Sequence, residues 1–352
     1  MNDRIRAAVC VAAVAITAGA GRIERGTYHS ALLARDIGYI AALPDSYAQR
    51  VASGKRFPVV YLLHCAGCDT SMWYNNPGYC TPVQELVDSA GVIFAGPDDG
   101  QVLSWWLDSP VRDHSAYSSF LAFEFKPHID SLYATERDAA HTGLAGHSMG
   151  GFGALHNLIR HPDIFGAAFS MKGAADIMPY SGSWGLPAVL GNQATGAANW
   201  HAVNPVEHAC ELAGHAVALR TYSGPLDWFY AGNLRLHQVL DSCGIAHRYN
   251  IDIDSLEGHA SVSPREMRHM ADFFDSVFSV ASAGVRHAPG ARSTRPWTRV
   301  GRREHGTMAW TITGRALGSM PGRPYSGKSM VMVVIQRSDG TIRPVIAGMR
   351  KP

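Results

Sequence analysis

The segment Gly146-His-Ser-Met-Gly-Gly-Phe-Gly153 places a serine, Ser148, in a glycine-rich turn. Residues 140–145 before it predict a short strand, and residues 149–160 after it predict an amphipathic helix. A turn this tight would hold the serine at strained backbone angles, and its flanking positions must be small to clear the neighbouring strand and helix. The alternative is an ordinary turn in which Ser148 caps the helix.

Apolar runs and helical patterns alternate on both sides of this turn. Further strands are predicted at 57–64, 91–96, 166–170, 216–222 and 246–253. Further helices are predicted at 117–134, 231–242 and 264–279. Residues 28–42 predict an antiparallel pair of edge strands. This alternation favours an α/β fold with a mostly parallel central sheet and helices on both faces.

In that context Gly146-x-Ser148-x-Gly150 is the pattern of a nucleophile elbow, which exposes the serine hydroxyl at the C-terminal edge of the sheet. A serine nucleophile needs a base, and the base needs an orienting acid; both follow the serine, acid first. His259, in a loop before the last helix, is the predicted base. Asp227, just past strand 216–222, is the predicted acid. Three carboxylates close to His259 in sequence are the alternatives: Asp252, Asp254 and Glu257.

Two backbone N–H groups are predicted to hold a developing oxyanion. One belongs to Met149, the residue after the serine, at the start of the helix. The other lies in the loop His64-Cys65-Ala66-Gly67, where Ala66 is the first choice and Cys65 the alternative. A plain glycine turn is the structural alternative for that loop.

Aromatic side chains are the candidates for substrate contact. Trp73, Trp106 and Trp228, with Trp105, are predicted to line or border a cleft, where they would suit sugar, aryl or acyl groups equally. Burial in the core is the alternative for each.

The N-terminus is predicted to be an export signal covering residues 1–20. Arg4 and Arg6 precede a short apolar stretch, and Ala18-Gly-Ala20 fits a cleavage site. A buried N-terminal helix is the alternative. The sequence has no run of 18 apolar residues, so no membrane-spanning helix is predicted in the mature chain. We expect a secreted or periplasmic protein.

Five cysteines remain once the signal and its Cys10 are removed. In an oxidising compartment we expect a Cys210–Cys243 disulfide and one bridge within the loop 65–80. Zinc at Cys65-x-x-Cys68 is disfavoured because no second ligand pair follows at the spacing of a zinc finger.

The charge of the chain is unevenly distributed. The whole chain carries a formal +2, but residues 281–352 hold 13 Lys and Arg against 2 Asp and Glu. This basic tail predicts a linker followed by a small β-hairpin around Ser338-Asp-Gly340, or a disordered extension. It could bind an anionic surface; specific nucleic-acid binding is not expected, because no recognised binding motif accompanies the charge.

The 46% hydrophobic and 17% charged residues of the whole chain exclude a disordered protein.

The chain resembles the esterase D / tributyrin esterase family of α/β-hydrolases, which also includes S-formylglutathione hydrolases, feruloyl esterases and the antigen 85 mycolyltransferases. The resemblance runs from about residue 28 to 278 and is carried by the apolar run 57–64, the segments 104–110 and 146–155, Arg160-His-Pro-Asp-Ile-Phe-Gly166, Asp227 and Gly258-His259. It implies an α/β-hydrolase domain at 21–280. The family's His-Gly at the oxyanion loop is His64-Cys65 here.

The resemblance and the residues together predict a secreted serine esterase that needs no metal or organic cofactor. Its substrate would be a small-molecule, glycan or lipid ester. Two alternatives stay open: an acyltransferase of the mycolyltransferase or diacylglycerol acyltransferase type, and a non-catalytic adhesion protein that uses the basic tail.

Overall fold

An eight-stranded sheet forms the centre of the fold in the computed structural model, which describes residues 22–74, 83–251, 258–260, 262–283, 331–336 and 342–347. The sheet order is β1-β2-β4-β3-β5-β6-β7-β8. Strands β3 to β8 run parallel, whereas β2 pairs antiparallel with β4, and β1 antiparallel with β2. The predicted signal segment, Cys80, the alternative acids 252, 254 and 257, and most of the basic tail lie outside the described residues.

The strands have the following bounds: β1 Arg22–Ser30, β2 Arg35–Leu43, β3 Val59–Leu63, β4 Ile93–Pro97, β5 Thr142–His147, β6 Ala167–Met171, β7 Ala218–Ser223, β8 Arg248–Ile251, β9 Val331–Gln336 and β10 Ile342–Ala347. The α-helices are α1 Tyr47–Ala52, α2 Val83–Ala90, α3 Tyr117–Phe120, α4 Lys126–Leu132, α5 Met149–Arg160, α6 Leu186–Leu190, α7 Gln193–His201, α8 Pro205–His208, α9 Tyr230–Ser242 and α10 Pro264–Ser282. A π-helical stretch, Leu121–Phe125, joins α3 to α4, and short 3₁₀ turns cover Thr70–Trp73, Ala139–His141, Met178–Tyr180 and Ala209–Leu212.

The sheet is buried on both faces, which explains the continuous apolar runs of its strands. In β3, Tyr61 and Leu63 enter one hydrophobic core, while Val60 and Leu62 enter a second core on the opposite face. Side chains alternate between the faces of a strand, so a strand covered by helices on both sides must be apolar at every position. The predicted parallel sheet, the antiparallel edge pair and helices 149–160, 231–242 and 264–279 are thereby confirmed.

The strand ends gather the predicted site residues at one edge of the sheet. Ser148 follows β5, Asp227 follows β7, and the loop containing Ala66 follows β3; these strands run parallel within the sheet. His259 precedes α10, whose N-terminus is fixed by a capping box between Ser263 and Glu266. Functional groups of parallel sheets meet at this carboxyl edge.

In the basic tail, β9 and β10 pair antiparallel, with Val331 opposite Ala347. This is the hairpin pairing predicted around the Asp-Gly turn, and the turn itself lies outside the described residues. Among the described residues, no helix is both long and apolar enough to cross a membrane.

Candidate active site

Ser148 occupies a sharp turn between β5 and α5, with φ 57° and ψ −117°. These angles lie in a region that non-glycine residues rarely adopt, so the surroundings must hold them. The Ser148 N–H donates to the carbonyl of Met171 at 3.0 Å, and its own carbonyl accepts from Phe152 N–H at 2.9 Å. A Cβ added to Gly146 or Gly150 would overlap neighbouring backbone atoms. The turn is the strained elbow that the sequence predicts.

The hydroxyl of Ser148 begins a chain of hydrogen bonds. His259 Nε2 lies 2.7 Å from Ser148 Oγ, and His259 Nδ1 lies 2.6 Å from Asp227 Oδ1. The second carboxylate oxygen of Asp227 accepts from the hydroxyl of Ser223, at the end of β7, at 2.6 Å. The Asp227 side chain is fully buried, and the His259 side chain is 6% exposed. The structure therefore brings the three predicted residues together, and both oxygens of the acid are engaged.

His259 is also held through its backbone and its ring. The Nε2–H of His147 donates to the His259 carbonyl at 2.9 Å. Burial, with smaller effects from His259 and Lys172, holds the pKa of His147 well below its usual value, so this donor is neutral. The indole of Trp228 stacks on the His259 ring with centroids 4.4 Å apart, and Phe229 meets the ring edge-on at 4.9 Å.

The loop after β3 is built around one peptide unit. The carbonyl of Cys65 accepts from His64 Nδ1–H at 2.9 Å and from Cys68 N–H at 3.1 Å. Because C=O and N–H point in opposite directions across a trans peptide, the Ala66 N–H of the same unit points away from His64. The Cys65 N–H is directed at the sulfur of Met72, at 3.4 Å, so Ala66 is the better candidate donor.

Met149, the other predicted donor, is the first residue of α5 and is fully buried. The first N–H groups of an α-helix have no acceptor within the helix, and they carry its positive dipole end. A small anion above Ser148 is therefore well matched to this position.

The described cysteines form two disulfides, as predicted. Cys65 and Cys68 are bonded within the loop after β3, and Cys210 is bonded to Cys243 at the far end of α9. The first bridge closes the turn whose peptide presents Ala66 N–H.

Three of the four tryptophans expected at a cleft are buried instead. Trp73 is 1% exposed within the core on one face of the sheet, and Trp106 is 0% exposed within the other. Trp106 donates its indole N–H to the carbonyl of His64 at 3.2 Å, so it supports the loop rather than contacting a substrate. Trp105, at 1% exposure, is also core. The expectation was wrong for these residues because large aromatic side chains fill this core.

Trp228 is the exception, since 55% of it is exposed beside His259. Its carbonyl accepts from the hydroxyl of Tyr180 at 2.7 Å, which ties it to the segment that follows β6. A cavity of about 610 Å³ opens on the same segment, between Met178 and Ala197.

Sequence reasoning missed Ser223, His147 and His64 as supporting residues. Ser223 directly follows the predicted strand 216–222, four residues before Asp227, and His147 adjoins the serine. Proximity to the predicted triad was therefore the available signal. Their roles depend on hydrogen bonds that only the folded chain defines.

The chain is similar in sequence to known esterases. Residues 30–227 match the Esterase family model. Esterase Rv1288 of Mycobacterium tuberculosis is 28% identical over 232 residues, which cover 58% of this chain and 49% of that protein. The chain thus spans about half the length of the curated relatives it matches.

Solved structures show the same fold. A ferulic acid esterase superposes with a TM-score of 0.59 at 23% identity, covering 74% of this chain and 99% of that one. An S-formylglutathione hydrolase from Agrobacterium tumefaciens gives 0.59 at 16% identity, covering 76% and 97%. The family match extends over more than half of the chain, and the sheet order and elbow agree with it. The chain belongs to the Esterase family and has the α/β-hydrolase fold.

Proposed function

We propose that this chain is a serine esterase that hydrolyses carboxylic esters through Ser148, His259 and Asp227. The observation that carries the proposal is the unbroken chain of hydrogen bonds from Ser148 Oγ through His259 to Asp227, at 2.7 and 2.6 Å. A strained serine at the C-terminal edge of the sheet, next to a helix N-terminus, supports it. The N-terminal segment and the two disulfides support a secreted or periplasmic location.

In the first step Ser148 Oγ forms a bond to the ester carbonyl carbon. His259 Nε2 takes the hydroxyl proton, and the carbonyl electron pair moves onto oxygen. Asp227 keeps His259 Nδ1 protonated and stabilises the imidazolium that forms. Collapse of the tetrahedral intermediate breaks the bond to the alcohol oxygen, which takes the proton from Nε2 as it leaves. An acyl group remains on Ser148.

In the second step a water molecule replaces the alcohol. His259 Nε2 takes one proton from the water as its oxygen bonds to the acyl carbon. The second tetrahedral intermediate expels Ser148 Oγ, which recovers the proton, and the carboxylic acid departs. These steps use only groups of this chain and water.

The negative oxygen of both intermediates would be held by Met149 N–H and Ala66 N–H. Their support is the helix start at Met149 and the orientation of the Cys65–Ala66 peptide by His64. Donors aimed at developing charge in a site shielded from water contribute about 3–4 kcal/mol each to the barrier reduction.

The substrate is proposed to be a small-molecule, glycan or lipid ester. Trp228, which is about half exposed, presents an apolar surface beside His259, and Leu226, two residues earlier in the chain, is about half exposed as well. The cavity near Met178 has both polar and apolar lining, through Ser181, Gln193 and Ala197, on the segment whose Tyr180 donates to the Trp228 carbonyl. This lining does not select one acyl length.

The test is turnover of p-nitrophenyl acetate, butyrate and palmitate by the purified chain and by Ser148→Ala. We expect the variant to lose at least about 10³-fold in kcat, because loss of a triad member removes covalent catalysis. Ser53→Ala, which removes an exposed hydroxyl bonded only to the Arg50 carbonyl, is the matched control and should keep full activity.

Retention of a tenth or more of the activity in Ser148→Ala, or a wild-type chain inactive on all three esters, would contradict the proposal. Acyl transfer to another alcohol would use the same acyl-enzyme. Repeating the assay with glycerol, and identifying the products by mass spectrometry, separates transfer from hydrolysis.

A further inference from the structure

Three side chains of the kind that bind metals converge at the edge of the sheet opposite to Ser148. Helix α9 starts three residues after Asp227 and runs back along the sheet, so its last turn lies near the N-terminal end of β8. His237 and Asp241 lie one turn apart on this helix, and His247 immediately precedes β8. Each offers one ligand atom, and these atoms all lie within 4.8 Å of one another.

The two imidazole rings are held in place. His247 Nδ1–H donates to the carbonyl of Ile245 at 2.8 Å, and this contact turns its Nε2 towards His237. Metal-binding histidines commonly donate their other ring N–H to a backbone carbonyl in this way. The ring of His237 stacks on Tyr249 with centroids 4.7 Å apart and planes at 12°. The Cys210–Cys243 disulfide anchors the turn between them.

The ring of His237 faces both of the other side chains. His237 Nδ1 lies 2.7 Å from His247 Nε2, and His237 Nε2 lies 3.6 Å from Asp241 Oδ2. Because the three ligand atoms already lie close together, a small rotation of the His237 ring would let all three side chains reach one shared ion.

We propose that His237, Asp241 and His247 form a binding site for a divalent transition-metal ion of the zinc class. Two imidazole nitrogens and one carboxylate oxygen are the ligand types that Zn²⁺ accepts, and water would complete four-fold coordination. Zinc bonds of about 2.0–2.1 Å place tetrahedral ligand atoms about 3.3 Å apart, so small side-chain rotations suffice here. The ion would join the end of α9 to β8 and stabilise the fold without entering the proposed chemistry.

In two other groupings of such side chains among the described residues, ligand atoms accept hydrogen bonds from backbone N–H groups. In the group at His64, Nε2 accepts from Asp99 N–H at 3.0 Å, and both Asp99 oxygens accept from backbone N–H groups. In the group at His141, Asp138 caps the 3₁₀ turn through the N–H of His141. These backbone hydrogen bonds occupy atoms that would otherwise be available to a metal ion.

The test is isothermal titration of ZnCl₂ into the untagged, full-length chain after removal of metal with a chelator. We expect one ion per chain in the wild type. His237→Ala and His247→Ala should each weaken binding at least about 10-fold, the smallest loss that follows removal of even an outer-shell partner. His29→Ala removes an exposed histidine that is also paired with a carboxylate, Asp36, and should bind as the wild type does.

Asp241→Asn keeps the fold intact, since its carboxylate is 66% exposed, and it should also weaken binding. Zinc should raise the melting temperature of the wild type and of His29→Ala but not of His237→Ala. The proposal is overturned if the wild type binds no zinc at micromolar concentration, or if the three site variants bind it as tightly as His29→Ala.

Discussion

The imidazole of His259 is covered on its ring face as well as bonded at its nitrogens. Trp228 stacks on it at 4.4 Å, and Trp184 stacks on Trp228 at 5.8 Å, with planes at 14°. An indole face attracts a cation, so Trp228 would stabilise the imidazolium that His259 becomes during the reaction.

Replacing Trp228 by Ala should therefore lower kcat more than it changes KM. A cation–π contact of about 0.5–2 kcal/mol corresponds to a fall of about 2- to 30-fold in kcat. Trp228→Phe should recover part of the loss, since a phenyl ring keeps a π-face. Steady-state kinetics on p-nitrophenyl butyrate measures both constants. An increase in KM with kcat unchanged would instead show that Trp228 binds substrate, as its sequence position alone predicts.

At this scale the sequence could locate the three residues that the fold brings together, but not the residues that support them. The sequence could predict Ser148, Asp227 and His259, because the elbow pattern is local and the order of its partners along the chain is restricted. It could not predict that Trp73 and Trp106 are buried, because an aromatic side chain suits a cleft and a core equally well. The roles of the triad remain predictions that Ser148→Ala tests.

At the scale of elements, the bounds of β3 to β8 were predicted to within about two residues, whereas β1 begins six residues before the predicted edge pair. No element was predicted between β6 and β7. Buried parallel strands are continuous apolar runs bounded by turns, so β3 and β5 stand out. The segment between β6 and β7 contains three short α-helices, two of them of 4 and 5 residues. Such helices complete too few turns to show a period, and tertiary packing forms them.

Opening the disulfide in the turn from Cys65 to Cys68 should lower kcat while the chain still folds. Gly67 at φ +72° and the Cys65–Cys68 bond hold the peptide that presents Ala66 N–H. The double variant Cys65→Ser/Cys68→Ser should lose about 3- to 30-fold in kcat. This is less than the 10²–10³-fold that follows complete loss of an oxyanion donor, because His64 still holds the peptide.

The matched control is Cys210→Ser/Cys243→Ser, which opens the disulfide at the far edge of the sheet. It should lower the melting temperature while kcat at 25 °C stays at the wild-type value. Equal kcat values in the two double variants would show that the turn does not position an oxyanion donor.

Over the whole molecule, burial of histidines links stability to pH. His156 is 5% exposed and stacks on Phe152, and burial, with smaller effects from Arg160 and His161, lowers its pKa to about 3. Burial also lowers the pKa of His161, and that of His147 well below its usual value. Each accepts a proton near pH 6.5 only in the unfolded chain. Protonation therefore favours unfolding, and stability falls as the pH drops below 6.5.

His156→Gln should flatten this dependence. One proton taken up only by the unfolded chain changes the free energy of unfolding by up to about 1.4 kcal/mol per pH unit between pH 6.5 and 3. Urea unfolding at pH 7, 6 and 5 should show a smaller loss of the free energy of unfolding in the variant than in the wild type.

His208→Gln is the control, because the pKa of His208 is shifted in the opposite direction. Burial acts to lower the pKa of His208, but hydrogen bonds to Glu211 and to the His201 carbonyl raise it. Its stabilising effect is lost only as the pH rises above 6.5, so His208→Gln should leave the slope below 6.5 unchanged. Equal slopes for His156→Gln and the wild type would show that His156 takes up its proton in the folded chain, which burial beside Phe152 opposes.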